Sequence, residues 1–148
     1  MRYAGFWLRF VAFFIDLILY YLFKILGNLA LNLDLAFINP MSISTHSHLS
    51  IYAATRLLIL SVVFCIIHWL YFTLLESSKW QATIGKKLIG LKVTDENGER
   101  INFGRANARY WSKIISGMTL GIGFIMAGFT EKKQALHDII ARTLVVRK

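Results

Sequence analysis

One cysteine in 148 residues, and only 17% charged residues, remove several classes of protein at once. A lone Cys65 allows no disulfide framework and no cysteine-built zinc site within one chain. Its place in an apolar run reads as a small buried hydrophobe. Ordinary soluble domains carry about a quarter charged residues, whereas this chain is 56% hydrophobic. Lys and Arg are missing altogether from residues 25–55 and again from 57–78. No nucleophile elbow, metalloprotease helix or Ser/His/Asp spacing is present, and Gly85-Lys86-Lys87 lacks the first glycine and the Ser/Thr of a phosphate-binding loop. Nothing therefore points to an enzyme, a cofactor or a bound metal. His46-x-His48 offers two metal-ligand side chains with no further ligand nearby and reads as ordinary loop.

What is present is a net charge of +9 packed between apolar segments. A nucleic-acid binder would interleave its basic residues with exposed aromatics and glycines. Here they crowd into 79–113 and 132–148, the segregation that the positive-inside rule describes. The chain reads as a multi-pass membrane protein whose partner is the lipid bilayer, anionic lipids included, with no nucleic acid.

The fold class expected is an all-α membrane protein forming one domain over 1–148. A first spanning helix covers about 10–33, broken only by Asp16, Lys24 and the Gly27-Asn28 step. It lacks a small-residue cleavage site and reads as retained rather than as a signal peptide. An outer loop at 34–56 without Lys or Arg leads to a second span, 57–75. The segment 76–113 carries eight Lys/Arg against four acids and should be cytoplasmic, as should the tail 130–148 and both termini. Within it, Asp95-Glu96-Asn97-Gly98 between strand-like runs 88–94 and 100–103 predicts a β-hairpin. The third apolar stretch, 114–129, is short for a crossing, rich in glycine and basic on both flanks. It reads as a glycine-broken re-entrant hairpin turning at Gly121-Ile122-Gly123; the alternative is a thin third crossing. Residues 135–141 suit a short helix, and 143–146 a strand able to join the hairpin.

Ionisable groups inside a membrane helix are costly and face protein or water. Asp16 is one, and Arg9 lies two helical turns before it. An axial separation of about 10.5 Å makes a direct pair between them unexpected, so each should find a partner elsewhere. Asp16 reads either as a polar brace or as an ion or proton site. His68, in the second span, reads as an interhelical hydrogen-bonding group or a proton relay. Asp138 opens the tail helix, where it can pair locally with Arg142 or, more sharply, with Arg9 or Arg109.

Arg9 at the head of the first helix, Asp16 within it, and Asp138 in Leu136-His137-Asp138 resemble the Arg–Asp–Asp pattern of the RDD family of integral membrane proteins. Gln81-Ala82-Thr83-Ile84-Gly85-Lys86, Gly90-Leu91-Lys92-Val93 and the run from Leu136 through Thr143 and Val145 are similar as well, so the likeness covers nearly the whole chain. Arg142 stands where the family often has glycine. The resemblance implies a bacterial inner-membrane protein and points to Arg9, Asp16 and Asp138 as a set, with His68 as a neighbour. Transport has been proposed for the family, cation/proton exchange for some members. The expectation is a homo-oligomer moving a cation or small solute, or else a non-transporting scaffold, assembly factor or complex subunit.

Overall fold

The computed structural model describes residues 2–38, 46–118 and 121–148. The chain divides into two compact units: one holds the residues up to Leu17 and from Trp69 onward, the other is Ile18–His68. Two long helices, α1 (Phe6–Ile38) and α2 (His46–Ser77), contribute to both.

In the Ile18–His68 unit the described parts of the two helices are largely apolar, with Ile25, Leu26, Leu57, Leu58 and Val62 exposed. A helix without a polar face is stable only when its surroundings are apolar too. The windows Phe6–Leu31 and Ala54–Ser77 are long and apolar enough to cross a bilayer. Aromatic edges join the pair: Tyr20 meets His68 at 4.7 Å and Phe23 meets Phe64 at 6.0 Å between centroids. Gly27 admits the Phe64 ring, since a Cβ there would lie 3.1 Å from its Cζ. Cys65, expected to be buried, is exposed on this apolar surface. Both helices run further than the 10–33 and 57–75 expected, into what was read as the outer loop 34–56. Residues 39–45 of that loop and the side chains of His46 and His48 fall outside the described residues.

The other unit is built on a two-stranded antiparallel sheet, β1 (Leu91–Asp95) with β2 (Thr143–Arg147), in register Val93↔Val145. The N-terminal stretch lies along the other edge of β2: Ala4 N–H donates to the Val145 carbonyl at 2.8 Å, and Arg147 N–H to that of Arg2 at 2.9 Å. Ala4, Ala12, Leu91, Val93, Ile101, Ala106 and Val145 form its apolar core.

The β-hairpin expected over 88–103 requires correction. Its turn is present: Asp95 Oδ1 accepts from the N–H groups of Asn97 (2.9 Å) and Glu99 (2.8 Å), and Gly98 takes φ +87°. The return leg is not a strand. It makes one isolated bridge, Thr94↔Arg100, and the ladder partner of β1 is the C-terminal β2. The cause is local: Asn102 Oδ1 accepts from Arg105 N–H at 2.8 Å, capping the helix α4 (Phe103–Met118) and drawing the chain out of the sheet.

A five-residue helix, α3 (Ile84–Leu88), precedes β1 and is capped by Thr83. After α4, Gly121 takes φ +79° and starts α5 (Ile122–Ile125), followed by a 3₁₀ turn, Met126–Gly128. The apolar stretch 114–129 is thus two helical pieces rather than one. The second packs back on the first, because a Cβ on Gly123 would come within 2.9 Å of Ser116 Cα. The tail gives α6 (Leu136–Ile140) and β2, close to the expected bounds.

Candidate functional site

Asp16 and the Arg9–Asp138 pair occupy two separate polar sites in the sheet-containing unit. Asp16 is only 3% exposed and faces the start of α3. Its Oδ2 accepts from Thr83 Oγ1 at 2.5 Å, and its Oδ1 accepts from Gly85 N–H and Tyr71 Oη, each at 2.8 Å. Tyr71 Oη in turn accepts from Ile84 N–H at 3.1 Å. Three donors thus hold the carboxylate, one of them, Gly85 N–H, a helix-start group with no partner inside α3. No Lys or Arg pairs with Asp16 among the described residues.

The second site is a buried chain of charges. Asp138, fully buried at the first turn of α6, accepts from Arg9 Nη1 through Oδ2 and meets Arg109 Nη2 through Oδ1 at 3.0 Å. Arg9 is fixed further by donating to the carbonyls of Ala4 (2.9 Å) and Lys133 (2.6 Å). Arg109 continues the chain: its Nε lies 3.4 Å from Glu76 Oε2. Lys86 Nζ donates to Glu76 Oε1, and Lys113 Nζ stands 3.9 Å from the same oxygen and 4.3 Å over the Phe72 ring. His137 completes the group, Nε2 being 3.4 Å from Asp138 Oδ1 and Nδ1 3.3 Å from Ser116 Oγ. Four cations therefore surround two carboxylates.

Burial alone would raise the Asp138 carboxyl, but Arg109 and then Arg9 outweigh it and hold the group well below the usual carboxylate range. Burial pushes His137 down to about 3 despite Asp138, so the imidazole is neutral at physiological pH. Burial also pushes Lys113 down to about 8, with Glu76 only partly countering it. The depressed Lys113 value fixes a sign. Between pH 8 and the ordinary lysine value of about 10.4 the unfolded chain binds more protons, so stability rises with pH in that window. Melting curves of the wild-type protein and Lys113→Met from pH 7.5 to 10.5 should differ in this respect, the variant losing part of the rise. Equal slopes would refute it.

Of the expected site residues, Arg9 and Asp138 meet. Asp16 has its own donors, as the two-turn separation from Arg9 anticipated, and His68 lies in the other unit against Tyr20. Asp138 takes both long-range arginines and makes no pair with Arg142 among the described residues. The sequence alone does not mark Glu76, Lys86, Tyr71, Thr83 and Gly85 for these roles. Glu76 had a signal, as the acid that closes the second apolar run. Thr83 and Gly85 sit in the quoted motif 81–86, where their chemistry shows only once α3 is docked on α1.

A family model described as RDD family matches residues 3–142 and so takes in Arg9, Asp16 and Asp138. The chain belongs to the RDD family. This RDD protein is 42% identical over 149 residues to the "Uncharacterized protein YxaI" of Bacillus subtilis (strain 168), covering 98% of this chain and 97% of that one. It is 32% identical over 155 residues to the "Uncharacterized membrane protein YteJ" of the same organism, covering 99% of this chain and 82% of the relative. No solved structure matches it. Family, relatives and two candidate spans together identify a membrane protein.

Proposed function

We propose that this RDD protein is a non-transporting scaffold, assembly factor or complex subunit of the bacterial inner membrane, and that Arg9, Arg109, Asp138 and Glu76 act as a brace. The observation that carries this reading is mutual contact: Asp138 engages two guanidinium groups while itself fully buried. A brace needs partners held in a dry interior. A conducting site needs a charge that can exchange its partner for water or cargo. The reading assigns the chain no reaction.

The basic segments 79–113 and 132–148 support cytoplasmic termini and a basic face on the inner leaflet. The faces of α4 to α6 support a segment that dips into the bilayer and returns. Arg109, Ser112, Ser116, His137 and Asp138 point inward, while Trp111, Ile114, Ile115, Met118, Ile122, Ile125, Ile139 and Ile140 point outward. Polar groups inside and apolar groups outside suit an apolar surrounding.

Transport of a cation or small solute by a homo-oligomer is the second reading, and one observation favours it: Asp16 is a buried carboxylate with no cation paired to it among the described residues. Asp16→Asn separates the two. If Asp16 is a second structural joint beside the brace, the variant should be destabilised by about 2 kcal/mol, from weakened bonds of Thr83, Tyr71 and Gly85 to a charged acceptor, and should recover less of any copurifying partner. Wild-type proteoliposomes should then show no cation-dependent proton flux. Flux that Asp16→Asn abolishes at an unchanged melting temperature would replace the brace with the transport reading.

A further inference from the structure

Lys86 and Lys87 are consecutive but meet different surroundings. Lys86 is buried and donates to Glu76. Lys87 points outward, its Nζ 3.3 Å from the centroid of the Trp80 ring. There it joins a cleft of about 310 Å³ lined by Lys79, Trp80, Lys87, Gly90, Leu91, Lys92 and Lys148. Four of the seven lining residues are lysines, and none is Asp or Glu. None of the four has a carboxylate partner among the described residues.

Clustered lysines that pair with no carboxylate repel one another, and an anionic ligand would relieve that cost. We infer that this cleft holds the phosphate of one anionic phospholipid headgroup. The inference rests on the proposed reading that the basic side of the protein lies at the inner leaflet. Three features favour a lipid over a soluble phosphate. Lys79 stands two residues beyond the end of α2 at Ser77, the depth at which a spanning helix meets headgroups. Trp80 is 49% exposed, and an indole with one apolar and one polar edge suits the membrane interface. Ile84 and Leu88, four residues apart on α3 and so on one face, are also exposed, Leu88 at 71%. They offer an apolar surface for the glycerol and first acyl carbons on α3, the helix that also carries Lys87. Lys87, held over the Trp80 ring by cation–π attraction, joins that helix to the cleft.

The test uses the full chain in nanodiscs of phosphatidylcholine alone or of equimolar phosphatidylcholine and phosphatidylglycerol, with retained lipid read by native mass spectrometry. The wild-type protein should retain one phosphatidylglycerol. K79Q/K92Q should bind it roughly 30-fold more weakly, at about 1 kcal/mol per lysine near an anionic surface. R100Q/K132Q removes the same charge from exposed positions outside the cleft and should weaken binding clearly less than K79Q/K92Q does. K79R/K92R should retain the lipid, which guards against a folding defect in the glutamine variant. Equal losses in K79Q/K92Q and R100Q/K132Q, or unchanged binding in K79Q/K92Q, would overturn the site. Stabilisation of the protein by inorganic phosphate in pure phosphatidylcholine, without phosphatidylglycerol, would overturn the lipid as its source. Both leaflets of a nanodisc have one composition, so the outcome does not depend on topology. Labelling of Lys148→Cys in intact cells tests the cytoplasmic placement separately.

Discussion

Asp138→Asn is expected to cost about 3–5 kcal/mol, the range for breaking a buried ion pair from one side. For a chain of this length that corresponds to a fall in melting temperature of roughly 6–20 °C. The size follows from what remains. Asp138 has no exposure and takes both Arg9 and Arg109; without it Arg9, Arg109, Lys86 and Lys113 face Glu76 alone. An amide can still accept a hydrogen bond, but it offsets none of that charge. Removing the pair as a unit should cost less than the sum of its parts, so Arg9→Met/Asp138→Asn should show a favourable coupling of at least about 1 kcal/mol relative to the single variants. Melting in detergent or nanodiscs, cross-checked by retained helical circular dichroism, reads both quantities. A fall under about 1 kcal/mol for Asp138→Asn would mean that water reaches the site.

Acid should attack the same cluster in two steps. His137, neutral in the fold and pushed down to about 3, binds protons more readily when unfolded, so stability falls as pH drops from about 6.5 toward 3. Asp138 is held below the usual carboxylate range, so its contribution is present above about pH 4 and is lost progressively below it. Asp138→Asn should shrink the lower step and deepen the upper one, because it removes the carboxylate that supports the protonated His137 imidazole against Arg109, Lys113 and Lys86.

How far this cluster was legible depends on which contacts the sequence brings together. Apolar runs and gaps in Lys and Arg locate the two spanning segments, because the period and length of a membrane helix are local properties. The family pattern marks Arg9, Asp16 and Asp138 but does not say who meets whom. Arg9 and Asp138 are 129 positions apart and meet in a unit that also lays the N-terminal stretch along β2, a pairing that no local rule predicts. The same non-locality explains the misread hairpin. Asp95–Gly98 does make its turn, yet Asn102 caps α4 and leaves β1 to β2. Arg142 is a further case. It stands where the family often has glycine, and its φ of +52° is the left-handed conformation that favours glycine. The departure from pattern was visible; the backbone reason was not.

The least legible feature is the small glycine at the centre of the Asp16 site, and it carries the second large effect. Gly85→Ala should destabilise the protein by about 3 kcal/mol or more. The added Cβ would run into the backbone carbonyl of Ala12 and stand 2.9 Å from Asp16 Cγ and 3.0 Å from its Oδ1. Overpacking of this kind costs about 1–3 kcal/mol by itself. Relief requires α3 to move off α1, which draws Thr83 Oγ1 and Gly85 N–H away from the carboxylate together. Hydrogen bonds to a charged group are worth about 1.5–3 kcal/mol each. Ala12→Gly should not rescue the variant, because the clash is with the main-chain oxygen and not with the Ala12 methyl group. Gly117→Ala is the matched control: a Cβ there meets nothing within 4 Å, and alanine in a helix interior is favoured over glycine by about 0.5–1 kcal/mol. A Gly85→Ala protein that melts within 2 °C of the Gly117→Ala control would show that α3 is not seated on Asp16. If instead Gly85→Ala and Asp16→Asn each lower the melting temperature and the double variant falls no further than the worse single one, the carboxylate and the glycine act as one joint. That joint fixes α3, and with it the position from which Lys86 reaches Glu76.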